Sequence, residues 1–265
     1  MDSHQIKSDD AEIFYWVLGE GPPVVLLHPF PANHEFWLPV AQVLATRYRV
    51  ILPDLRGHGD SGVGQGPATM DKHAADIACV MDDAEIGRAP LVAVSIGGYA
   101  LFEFWRRHRE HVAALVLANT RATAETPESR TNRLALAEKV LREGTAGFIE
   151  EMLPNVLSPV TLTNRPDIVD AARRMMQKMS PQDIAGVQQG MADRPDSVPT
   201  LKTISIPALV IVGEDEATSE AELMRQQISG SRLQVVPRSG HYAVLEQPEE
   251  FTRLLRSFLD GLPRR

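Results

Sequence analysis

The chain has 265 residues, 43% hydrophobic and 23% charged, with a formal net charge of −8. That composition fits one large globular domain, or a core carrying an insertion, able to bury its own core without staples. The negative balance argues against nucleic acid or an anionic membrane as the main partner, and the single cysteine, Cys79, excludes an intramolecular disulfide.

The first residues, Met1 to Lys7, hold no apolar run of the kind a signal peptide needs, and no stretch reaches the length of a transmembrane helix. The expected location is the cytoplasm. The basic groups Arg106, Arg107, Arg109 and Arg264, Arg265 read as solvated faces, and Cys79 as a small residue buried in a helix.

Taken in chain order, the strands expected from short apolar runs are Ile13–Leu18, Val24–His28, Val50–Pro53, Leu91–Val94, Ala113–Leu117, Ala208–Val212 and Leu233–Val236. Most are continuously apolar, as strands buried on both faces are. Amphipathic patterns between them predict helices near Trp37–Ala45, Met70–Ala84, Gly97–Arg107, Glu220–Ile228 and Pro248–Leu259. Alternation of this kind gives a parallel sheet covered by helices on both faces. It breaks between about residues 121 and 203, where Thr126-Pro127-Glu128, Asn164-Arg165-Pro166-Asp167 and Ser180-Pro181-Gln182-Asp183 read as capped helix starts and Gly144 as a helix end. The reading is a core of residues 1–120 and 204–265 with a helical cap insertion over 121–203.

Chemistry concentrates in four segments. Leu91-Val92-Ala93-Val94-Ser95-Ile96-Gly97-Gly98 is an apolar strand, then a serine, then a helix opening on two glycines. A serine hydroxyl needs a base and an exposed position to act as a nucleophile, and a tight strand-to-helix turn supplies the position. The helix that follows aims its free N–H groups at the same point, that of Ile96 first. Val24 to Leu27 leads into His28-Pro29-Phe30-Pro31, Ile51 to Pro53 into Asp54-Leu55-Arg56-Gly57-His58-Gly59-Asp60-Ser61, and the last strand into Ser239-Gly240-His241-Tyr242.

Together these segments resemble the α/β-hydrolase family, over nearly the whole chain and most closely its small bacterial esterases and enol-lactone hydrolases. The Arg194-Pro195-Asp196-Ser197 segment fits the same group. Ala93 stands where the family's nucleophile elbow has its first glycine, and Pro29 where its oxyanion loop has glycine. The resemblance implies Ser95 as nucleophile, His241 as base, and the backbone N–H groups of Phe30 and Ile96 as the oxyanion hole. It gives the Asp54–Ser61 segment a bracing role and makes His58 a loop histidine. The acid orienting His241 belongs in Gly213-Glu214-Asp215-Glu216-Ala217-Thr218. Counted from Gly213 it falls on Glu216; counted back from Thr218 it falls on Asp215. Asp215 is the expected acid, with Glu216 the alternative.

The reaction implied is hydrolysis of a small to medium, largely apolar ester or lactone through an acyl-enzyme. The insertion, with Met152, Met175, Met176, Met179, Met191, Phe148 and Leu153, is expected to shape the pocket, most of its methionines simply packing helix on core. No cofactor or metal is expected, because no ligand-spaced His/Cys cluster and no phosphate loop occurs. The expected partner is the small-molecule substrate, with no nucleic acid and no membrane; a homo-oligomer is compatible. An acyltransferase, a carbon–carbon bond hydrolase, an accompanying haloperoxidase activity or a non-enzymatic ligand receptor could carry the same constellation. Aspartate-nucleophile relatives of the fold are disfavoured by Ser95.

Overall fold

The computed structural model describes residues 1–263; the basic pair at 264 and 265 lies outside the described residues. Eight strands form one sheet in the order β1-β2-β4-β3-β5-β6-β7-β8. They are β1 (Asp2–Ser8), β2 (Ala11–Leu18), β3 (Pro23–Leu27), β4 (Arg49–Pro53), β5 (Ala89–Val94), β6 (Val112–Ala118), β7 (Ala208–Gly213) and β8 (Arg232–Val236). From β4 to β8 neighbours pair in parallel, and β2 runs antiparallel to both β1 and β4. The central strands β3, β5 and β6 are almost wholly buried, which is why their sequences are unbroken apolar runs.

Strand β1 was not expected. Its sequence, Asp-Ser-His-Gln-Ile-Lys-Ser, is polar and mostly exposed, so no apolar period marks it. It is recruited by backbone pairing, Ile6 opposite Ile13, and forms a charged sheet edge of the kind that resists further pairing.

The helices of the core are α1 (Leu38–Leu44), α2 (Met70–Asp83), α3 (Ile96–His108), α10 (Thr218–Gln227), α11 (Ala243–Glu246) and α12 (Pro248–Asp260). Between β6 and β7 the regular elements are all helices, from α4 (Pro127–Glu143) through α5 (Ala146–Val156), α6 (Pro159–Asn164), α7 (Pro166–Gln177) and α8 (Pro181–Ala192) to α9 (Val198–Leu201). Thr126 caps α4 through its side chain, Gly144 ends it at φ 82°, and Ser180 with Asp183 forms a capping box on α8. Asn164 differs from expectation: it closes α6, whose own cap is Ser158, and Arg165 precedes α7. Met175, Met176, Met179 and Met191 are all buried, packing this segment onto the core.

The topology fixes where a site can lie. From β3 the chain crosses to β4 on one side, then returns to β5 on the other. Strand order reverses there, leaving a crevice beyond the carboxyl ends of β3 and β5. The segments holding Phe30 and Ser95 leave the sheet at that crevice.

Candidate active site

Ser95 joins β5 to α3 with φ 54° and ψ −117°. A left-handed backbone on a non-glycine residue costs about 1–3 kcal/mol and persists only where its surroundings impose it. They do so here. The N–H of Ser95 donates to the carbonyl of Ala118 at 3.1 Å, and its own carbonyl accepts from the Thr120 hydroxyl at 2.7 Å. Helix α3 must then start in a narrow space. A side chain at Gly97 would meet the Leu27 carbonyl at 2.8 Å, and one at Gly98 would overlap Thr120. Ala93 is tolerated in place of glycine because it is an ordinary residue of β5, in register with Leu27 and Leu117.

The first N–H groups of α3 point toward this turn. Those of Gly98 and Tyr99 return to the Ser95 carbonyl, at 2.8 and 3.3 Å. The N–H groups of Ile96 and Phe30 have no protein acceptor among the described residues. The loop carrying Phe30 is held by His28, which is fully buried. Its Nε2 accepts from the Leu55 N–H at 2.9 Å, so its Nδ1–H donates to the Pro29 carbonyl, also at 2.9 Å. Burial, with the neighbouring His58, holds His28 neutral by pushing its pKa well below the usual histidine range.

The Asp54–Ser61 segment braces that loop. Asp54 accepts from the backbone N–H of His34 at 2.6 Å and of Asp60 at 2.9 Å. Arg56, 1% exposed, is paired to Asp76 at 2.7 Å and to Asp10. His58 donates its Nδ1–H to the Arg56 carbonyl at 3.0 Å, and its ring packs edge-on to Phe30. Burial lowers its pKa to about 4. No carboxylate pairs with it among the described residues, in contrast to His241.

His241 follows β8. Its Nδ1 lies 3.2 Å from Oε1 of Glu216. Glu216, not the expected Asp215, is the carboxylate within 4 Å of this imidazole among the described residues. The reason is the register of the loop. Gly213 is fixed at the end of β7, since a side chain there would run into the Ser239 carbonyl at 2.6 Å. From that anchor one turn, Glu216 N–H to Gly213 carbonyl at 3.0 Å, brings Glu216 to the histidine. Asp215 stays exposed, its N–H on the Ser239 carbonyl at 3.0 Å. The two counts therefore part between Glu216 and the start of α10 at Thr218. Burial would raise the Glu216 pKa; the hydrogen bond and charge of His241, with Arg121 beyond, outweigh it and hold the carboxyl below its usual value.

Two bracing residues were not foreseen. Asn119 follows β6 with φ 40°. Its amide donates to the carbonyls of His241 at 2.8 Å and Gly240 at 3.1 Å, and its oxygen accepts from Gly213 N–H at 2.8 Å. Glu246, 3% exposed, accepts from Gly240 N–H and Ser158 N–H, both at 2.9 Å, joining the histidine loop to the helical segment. Arg106 also departs from the solvated role expected of it, binding Glu103 and the hydroxyls of Ser197 and Thr200.

Ser95 is 9% exposed and the His241 side chain 19%. Above them the ring of Phe30 meets Phe148 of α5, centroids 5.9 Å apart. None of the three cavities described is lined by Ser95 or His241; the largest, about 810 Å³, lies at the opposite end of the sheet, around Pro23, Pro90, Ala113 and Pro207.

The fold and the order of these segments define an α/β hydrolase. Residues 22–248 match the family described as alpha/beta hydrolase fold, and the chain belongs to it. It is similar to a thermophilic esterase from Thermogutta terrifontis solved with malate bound, with 37% identity, TM-score 0.94 and 99% of each chain covered. It is similar also to the enol-lactonase from Burkholderia xenovorans, with 25% identity and TM-score 0.91 over 97% of this chain and 100% of that one. Among curated relatives, 3-oxoadipate enol-lactonase 2 of Acinetobacter baylyi is 25% identical over 259 residues, 96% of this chain and 95% of its own. No helix among the described residues is long and apolar enough to cross a membrane.

Proposed function

We propose that this chain hydrolyses small to medium carboxylic esters or lactones through an acyl-enzyme on Ser95. The observation that carries the reading is the three-residue bridge Ala118–Asn119–Thr120, which binds the strained turn at Ser95 on one side and the loop of His241 on the other. In the first step Ser95 Oγ attacks the carbonyl carbon while His241 Nε2 takes the hydroxyl proton. Glu216 accepts from Nδ1–H, fixing the tautomer and stabilising the imidazolium that forms. The N–H groups of Ile96 and Phe30 receive the oxyanion, each contributing about 10²–10³ in kcat. His241 then gives its proton to the leaving alkoxide. In the second step it activates water, and the acid product leaves.

The residues 121–203 act as a cap. Phe148 of α5, whose ring meets that of Phe30, gives the acyl side an apolar wall. Because Ser95 is nearly covered, admission of substrate requires part of the cap to yield. Lactones are favoured by the two enol-lactonases that match the chain almost end to end; a lactone is an internal ester and meets the same chemistry. The test is turnover of an aryl ester and of a lactone panel by wild type and Ser95→Ala. The variant is expected to lose about 10³-fold or more in kcat, and near-wild-type turnover would overturn the mechanism.

A further inference from the structure

We propose that His108, Glu110 and His111 form a surface site for a borderline divalent transition metal, Zn²⁺ or Ni²⁺, at the far end of α3. One ligand atom from each of the three lies within 4.8 Å of the others. Two imidazoles and a carboxylate are a donor set suited to such ions, with water completing the coordination.

Three observations favour the site beyond proximity. His111 is pre-oriented: its Nδ1–H donates to the Gly87 carbonyl at 2.8 Å. That bond fixes the tautomer and leaves the Nε2 lone pair free, the arrangement in which outer-shell carbonyls present ligating histidines. That Nε2 faces Oε1 of Glu110 at 3.6 Å, close to the ~3.3 Å between neighbouring ligands around a tetrahedral ion with bonds of ~2.0 Å. The third is the backbone. His108 is the last residue of α3, where the helix dipole favours positive charge, and a short 3-10 turn from Arg109 to His111 leads directly into β6. The Glu110 side chain is 66% exposed, so little packing opposes the small shift that would close the set. Arg109, between the ligands in sequence, and Arg88, which donates to the Val112 carbonyl, are the charges that oppose a cation here; Arg106 and Arg107 are already paired with Glu103.

Bound metal would tie the C-terminal end of α3 to the loop at Gly87 and the start of β6. The site sits at the opposite end of α3 from Ser95, so the effect expected is on stability and not on turnover.

The experiment is isothermal titration of the full chain with ZnCl₂ and NiCl₂ at neutral pH, paired with thermal unfolding with and without EDTA. Wild type is expected to bind one ion and to gain a few degrees in Tm at about tenfold saturation. His108→Asn and His111→Asn should each abolish both effects while leaving ester hydrolysis unchanged. His241→Gln should keep the binding, separating it from metal capture at the catalytic histidine. No heat of binding in wild type, or binding that survives His111→Asn, overturns the site.

Discussion

The side-chain amide of Asn119 donates to the carbonyl of His241 at 2.8 Å, across 122 residues of chain. The same residue follows Ala118, whose carbonyl accepts the Ser95 N–H. The turn at Ser95 and the loop of His241 are thus fixed to one strand end. Asn119→Ala removes three hydrogen bonds at once and leaves buried groups unpaired. It is expected to lower kcat about 10–100-fold with little change in KM, since it shifts the base and not the pocket. Steady-state kinetics on one ester decides this; an unchanged kcat would show that the histidine loop is held by other means.

Glu216 and Asp215 separate cleanly. Glu216→Gln leaves the side chain in place but cannot stabilise the imidazolium, and kcat should fall about 10²–10⁴-fold. Asp215→Asn, on an exposed side chain, should stay within about twofold of wild type. Equal and mild losses in the two variants would contradict the assignment.

Stability should fall steeply on acidification because of buried histidines. His28, His58 and His73 are fully buried; burial lowers His58 to about 4 and His73 to about 3, and drives His28 well down. Unfolded, each titrates near ~6.5. Below that pH the unfolded chain takes up protons that the folded chain refuses. Stability is therefore complete above about pH 6.5 and lost below it, by roughly 1.4 kcal/mol per pH unit per histidine, until the folded values are reached. The depressed carboxyl of Glu216 adds to the loss at the lower end, as pH falls through its folded value. Both ring nitrogens of His73 lack a partner among the described residues. His73→Phe should therefore gain about 2 kcal/mol at pH 5 relative to its effect at pH 8. Urea unfolding at the two pH values measures it, and a pH-independent effect would refute the buried neutral state.

The two ends of the helical segment meet over α3. Arg194 stacks on Tyr99 at 4.3 Å and lies 3.3 Å from Glu125, which also pairs with Arg133 at 2.9 Å. Among the described residues Glu125 is the anion these two arginines share, and its side chain is 2% exposed. Glu125→Gln should destabilise the fold by about 3 kcal/mol, because it strands buried positive charge. Adding Arg194→Met should recover much of that loss, a coupling that a double-mutant cycle would read directly. Additive losses would mean the pair is not energetically linked.

Most of the fold was legible because buried parallel strands are unbroken apolar runs, and because helices of the insertion carry clear caps, Thr126 on α4 and Ser180 with Asp183 on α8. Strand β1 was invisible because backbone pairing, not apolar pattern, holds it. At the site, the turn at Ser95 and the late histidine were readable from local sequence. Glu216 was not resolved, since two counts through one loop disagree, and only the packing of Gly213 against Ser239 and Gly240 decides between them. Asn119 and Glu246 left no local mark: each acts on backbone groups far away in the chain.

The most direct measurement is covalent labelling with a fluorophosphonate followed by peptide mapping. An activated serine in the geometry described should carry a single adduct, on Ser95, and His241→Ala should slow its formation sharply. Labelling elsewhere, or no labelling of a folded chain, would contradict Ser95 as the nucleophile.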